Sequence, residues 1–122
     1  MADVSTPTRR TLSASTLKGD KVRNTQDENL GNVEDLMIDL ESGRVAYCVV
    51  SFGGFLGMGE KLFAVPWRAM TLDTEDHAFV LNVTKERLKD APGFDKDNWP
   101  DLTDPDLRSQ IYGFYNVRPD WE

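Results

Sequence analysis

His77 and Cys48 are the single histidine and the single cysteine of this 122-residue chain, so acid–base or thiol chemistry would have to begin with them. His77 follows Glu75 and Asp76, and a neighbouring carboxylate can orient an imidazole as a base. The nucleophile would have to be Cys48 or a serine. Cys48 lies in the run Tyr47-Cys48-Val49-Val50, and a thiol among apolar neighbours in mid-strand is inert packing. No nucleophile–base–orienter pattern emerges from these positions, and no catalytic residue is expected. One histidine and one cysteine also exclude a zinc centre of His and Cys ligands within one chain.

Oxygen ligands are more plentiful. Asp95, Asp97, Asp101, Thr103 and Asp106 fall at loop positions 1, 3, 7, 9 and 12 of an EF-hand-like spacing. Trp99 and Pro100 stand where that loop needs an oxygen donor and a glycine, and Asp106 stands where it needs the longer glutamate. Asp95, Asp97, Asp101 and Asp106 are thus candidate metal ligands set against a simpler reading, in which they cap helices and make turns beside prolines. No metal or cofactor is expected. The glycines from Gly53 to Gly59 are no phosphate cradle, because Glu60 follows Gly59 where a P-loop has lysine. They read as a long hairpin loop, and its apolar tip residues Phe55, Leu56 and Met58 suggest contact with a partner. Trp67, Trp99, Trp121, Tyr112, Phe114 and Tyr115 could form a stacking platform for single-stranded bases, but such platforms need a positive groove. The chain carries a net charge of −7, so no nucleic-acid partner is expected.

These positions rest on a β-rich framework. Lys21 to Asn24 reads as a first strand. Leu36, Ile38 and Leu40 alternate with Asp35, Met37 and Asp39, which predicts a strand with one wet face. Glu41-Ser42-Gly43 closes a hairpin. Val45 to Phe52 is apolar on both faces, with Val45, Tyr47 and Val49 on one and Ala46, Cys48, Val50 and Phe52 on the other. Such a strand is covered on both sides, and the second cover is the C-terminal segment or a partner subunit. Phe63, Val65 and Trp67 share a face of the next strand, which Pro66 ends or places at an edge. Met70–Leu72 and Ala78–Val83 complete the strands. Thr84 caps a short helix over Lys85–Asp90. Asp104 followed by Pro105 starts a helix over 105–115, with Leu107, Ile111, Phe114 and Tyr115 on one face.

The hydrophobic fraction of 39% and charged fraction of 29% describe a globular chain. No apolar run approaches the length of a membrane helix, and the N-terminus lacks the apolar core of a secretory signal. The expectation is a cytoplasmic protein with no direct membrane insertion. Three segments are expected: a disordered tail over 1–11, a barrel domain over 12–83 and a helical extension over 84–122, packed on the barrel or on a partner.

Four motifs carry a family resemblance: Gly31-x-Val33-x-Asp35-x-x-Ile38-Asp39; Gly43-Arg44-Val45-x-Tyr47-x-Val49-Val50; Gly53-Gly54-Phe55-Leu56-Gly57-x-Gly59-x-Lys61; and Ala64-Val65-Pro66-Trp67. Over about residues 12–83 the chain resembles the PRC-barrel domain, the β-barrel of the photosynthetic reaction-centre H subunit and of a ribosome maturation factor. It is most similar to the stand-alone bacterial members. The resemblance implies an all-β fold, a small six-stranded antiparallel barrel here followed by one or two C-terminal helices. It implies a protein–protein interaction module with no catalytic residues to transfer. The reaction-centre subunit's membrane helix and the maturation factor's preceding domain have no counterpart in this sequence, which argues against either role. The leading expectation is a non-enzymatic, self-associating module, a homodimer, with an unidentified protein as a further partner. Its candidate contact residues are Phe55, Leu56, Met58, Tyr47, Trp67, Leu107, Ile111, Phe114 and Tyr115. The alternatives are an accessory protein of a membrane electron-transfer complex like the reaction centre, or an ion-sensing module using the acidic C-terminal segment.

Overall fold

The computed structural model of the protein describes residues 11–52 and 61–118. The glycine loop with Phe55, Leu56 and Met58 lies outside the described residues, as does Trp121. In chain order the elements are helix α1 (Ala14–Leu17), strands β1 (Lys21–Arg23), β2 (Asn29–Ile38), β3 (Val45–Phe52) and β4 (Lys61–Pro66), a 3-10 turn (Trp67–Ala69), strands β5 (Met70–Asp73) and β6 (Ala78–Leu81), helix α2 (Lys85–Leu88), strand β7 (Gly93–Phe94) and helix α3 (Pro105–Tyr115).

Seven strands form one sheet in the order β5-β6-β1-β2-β3-β4-β7. This corrects the six-stranded antiparallel barrel in three respects. The sheet is open, because the edge strands β5 and β7 each have a partner on one side only. It is mixed, because β1 runs parallel to β6 and antiparallel to β2. A seventh strand is added by Gly93–Phe94, which pairs with Leu62 and Phe63. Gly93 permits that approach: a Cβ there would lie 2.9 Å from the Phe63 ring and 3.1 Å from the Leu62 carbonyl oxygen. Two residues bounded by Pro92 give too little β pattern to be read as a strand in advance.

β3 lies inside the sheet, paired along its length with β2 and β4. Its alternate side chains enter two separate cores. Cys48, Val50 and Phe52 join Val22, Leu30, Phe63, Val65 and Phe79 in the larger one, which α1 and α2 close with Leu17 and Leu88. Tyr47, on the other face, packs with Ala64 beneath Ile111 and Tyr112 of α3. The C-terminal segment is therefore the second cover of β3. Asp104 starts α3 by accepting from the Asp106 N–H, with Pro105 in the first turn. Asn116 ends it in the left-handed region at φ 59°. An isolated helix of 11 residues is marginal in water. Burying Ile111 contributes about 2 kcal/mol, so docking on the sheet is what holds α3.

The face of β2 expected to be wet is partly covered. Leu36 packs against the larger core and Met37 against the α3 core, while Ile38 and Leu40 are exposed. Register shifts place an extra residue at Glu34 on β2 and at Ala46 on β3. At the other end of the sheet, buried Asn24 ties the β1–β2 turn to α2. Its side chain donates to the Glu28 carboxylate and the Val83 carbonyl and accepts from the N–H groups of Gln26 and Glu28. Glu28 in turn accepts from the Lys85 N–H at the start of α2, where Thr84 provides the cap by accepting from the Arg87 N–H. The helix ends at Leu88, two residues short of the sequence reading.

Two predictions follow from the strands. Gly31 adopts φ 124°, and a Cβ there would be driven into the Ser51 carbonyl oxygen on β3. The Gly31→Ala variant is expected to lose about 2–4 kcal/mol in urea unfolding, from the clash and the disfavoured dihedral together; a loss below about 0.5 kcal/mol would contradict the close approach. Burial pushes the Cys48 thiol up from 9.0 to about 12. The folded protein keeps that proton while the unfolded chain releases it, so this contribution is complete below pH 9.0 and declines as pH rises toward about 12. Stability should fall above pH 9 by at most about 1.4 kcal/mol per unit from this group, and Cys48→Ala should flatten that limb between about pH 9 and 10.

Candidate functional site

The β2–β3 hairpin ends in a compact turn. The Gly43 N–H donates to the Asp39 carbonyl at 2.7 Å, and the Asp39 N–H to the Arg44 carbonyl at 2.8 Å. The Asp39 carboxylate accepts from the Ser42 hydroxyl and the Glu41 N–H. Those two hydrogen bonds, the hydroxyl foremost, hold its pKa below the usual range, with a further small pull from the Arg108 charge. Asp39 thereby fixes the tip, and Leu40 projects from it 91% exposed. A leucine left in water on an ordered turn is unusual beside a second exposed aliphatic, Ile38 at 47%.

Between this hairpin and α3 lies a cleft of about 460 Å³. Met37, Val45, Ala46, Tyr47, Leu102 and Tyr112 form its apolar walls, and Asp39, Glu41, Arg44 and Arg108 give it a mixed-charge rim. Arg108 and Tyr112 are one helical turn apart on α3, which brings both to this side. Tyr47 stacks edge-on against Tyr112, with ring centroids 6.0 Å apart. The Tyr47 hydroxyl is buried and makes no well-formed hydrogen bond. Burial raises its pKa, and the neighbouring Arg108 charge partly opposes the rise. A second concavity, about 440 Å³, lies on the far side of α3 between Lys61, Phe94, Pro100, Leu107 and Ile111.

The residues with reactive side chains do not converge. Cys48 is fully buried in the larger core, and His77 sits exposed in the β5–β6 turn at φ 51°. Among the described residues, no three His, Cys, Asp or Glu side chains are grouped so as to hold a metal ion. Asp101 accepts from both the N–H and the hydroxyl of Thr103. Those bonds, the hydroxyl first, lower its pKa. Asp104 caps α3, Asp106 lies in its first turn, and the Asp95 carbonyl accepts from the Asn98 N–H. Asp97 is exposed.

The candidate contact residues are placed unevenly. Tyr47 and Ile111 are buried within the subunit at 4% and 2% exposure. Trp67 is half-buried, edge-on to Phe79 at 5.7 Å. Leu107 is half-buried against the α3 core. Phe114 is half-buried with the Arg87 guanidinium 4.4 Å above its ring, and Tyr115 packs on it at 4.9 Å. The Tyr115 hydroxyl is buried, which raises its pKa. The residues that sequence reasoning missed are Ile38, Leu40, Arg44 and Arg108. Only the i, i+4 spacing of Arg108 and Tyr112 signals any of them.

Among curated proteins, none matches this chain. A solved structure described as that of a 16S ribosomal RNA processing protein, RimM, from Pseudomonas aeruginosa is similar to it with 18% identity and a TM-score of 0.41. The likeness covers 62% of this chain and 45% of that one, so the chain spans less than half the length of that protein. No helix among the described residues is long and apolar enough to cross a membrane. The family profile of the PRC-barrel domain matches residues 10–88, well over half of the sequence, and the chain belongs to the PRC-barrel family.

Proposed function

We propose that this protein is a non-enzymatic interaction module that associates with a second copy of itself through the face bearing the β2–β3 hairpin and the cleft beside it. One observation carries the reading: Ile38, lining a largely apolar concavity, and Leu40, at the tip of the same hairpin, are exposed at 47% and 91%. An apolar projection adjoining an apolar hollow is the composition of a docking surface. The placement of the reactive residues supports the non-enzymatic part. The Cys48 thiol is buried and pushed up to about 12, far from a thiolate at neutral pH, and His77 lies exposed in the β5–β6 turn, outside both concavities described above. Membership of the PRC-barrel family agrees with a small interaction module.

The motive for a partner differs from that suggested by β3 alone. The second apolar face of β3 is covered by α3 of the same chain, so the partner is needed at the hairpin. A stable pair buries on the order of 1,600 Å² in total. The chain exposes 7926 Å² over its described residues, so such a contact would cover roughly a tenth of each subunit.

Multi-angle light scattering tests the proposal. At micromolar concentration the expected mass is about twice the 13.8 kDa of the chain. A mass of one chain across that range would overturn self-association.

A further inference from the structure

We infer that the two copies meet through a two-fold contact in which Leu40 of each subunit enters the cleft of the other. The inference rests on the self-association proposed above and specifies its geometry. In a two-fold pair the same patch faces itself, so the patch must carry a projection and a matching hollow side by side. This face has both. Leu40 stands out at the hairpin tip, and the cleft of about 460 Å³ is lined by residues on both sides of it along the same hairpin. That space exceeds one leucine side chain, leaving room for the flanking tip residues.

Charge is arranged in the same self-complementary way. Both signs line the cleft: Asp39 and Glu41 flank Leu40 on the approach to the tip, and Arg44 and Arg108 stand on the same rim, so an acid of one copy can meet a base of the other. Turning one hairpin into the other's cleft brings the exposed Glu41 of each subunit toward the exposed Arg44 of its partner. A subunit with a net charge of −7 needs such local pairing to approach its own copy. The tip is also pre-shaped. Asp39 is bonded to Ser42 and Glu41 within its own turn, so little ordering cost is added when Leu40 docks.

Sedimentation equilibrium on the full chain decides the matter, using three variants at exposed positions: Leu40→Asp, Glu41→Lys and Arg44→Glu. Leu40→Asp should weaken the dimer about tenfold or more in Kd while leaving the melting temperature of the subunit near that of the unaltered chain. Glu41→Lys and Arg44→Glu should each weaken self-pairing, since like charges then face each other at both contacts. Mixed in equal amounts, these two variants should form a heterodimer, because every facing pair is again opposite in sign. A pair within one hairpin could not produce that rescue. If the unaltered chain dimerises and Leu40→Asp or the mixture behaves no differently from it, this interface is wrong while self-association stands. If the unaltered chain is a monomer, both fall, and the face belongs to a different partner.

Discussion

The two-sided burial of β3 organises this protein. Val45–Phe52 pairs with a strand on each edge and presents apolar side chains to both faces. An interior strand that is largely apolar on both faces cannot leave either face in water. One face builds the larger core, with Phe63, Val65 and Phe79 as its bulk. The other requires a lid, and α3 is that lid, seated through Ile111 and Tyr112 over Tyr47 and Ala64. The C-terminal helix is thereby part of the fold of the described chain, although the family profile ends at residue 88.

The placement of α3 also creates the functional candidate. The helix crosses the sheet beyond the base of the β2–β3 hairpin and leaves a cleft between them. Met37 of β2 faces α3, while the next apolar residues, Ile38 and Leu40, stay outside. Arg108 lines the cleft between α3 and the hairpin, beside the buried Tyr47 hydroxyl.

Much of this was legible in the residues. Strand β3, its two apolar faces, the end of β4 at Pro66 and the capped helices after Thr84 and Asp104 follow from local rules whose causes lie within a few residues. A cap needs an oxygen two or three residues before an N–H, and Asp104 and Thr84 supply it. The burial of Cys48 was legible too, because its neighbours on the strand are apolar. The open mixed sheet, the extra strand at Gly93 and the exposure of Ile38 and Leu40 were not. The last is instructive: Leu36, Ile38 and Leu40 alternate as a buried face should, yet of the three only Leu36 reaches the core.

Sequence alone determined most of the strands and the two capped helices, where several of them stop, and that β3 needs two covers. Those properties depend on residue type and near neighbours. Tertiary structure decided which segment provides the second cover, how the sheet ends, and which apolar side chains remain in water. Those depend on hydrogen-bond register between strands and on the docking of a helix some 60 residues away in sequence, and neither is encoded in any local pattern. The surface offered to a partner is thus the remainder left after the cores are filled, and only the assembled chain defines it.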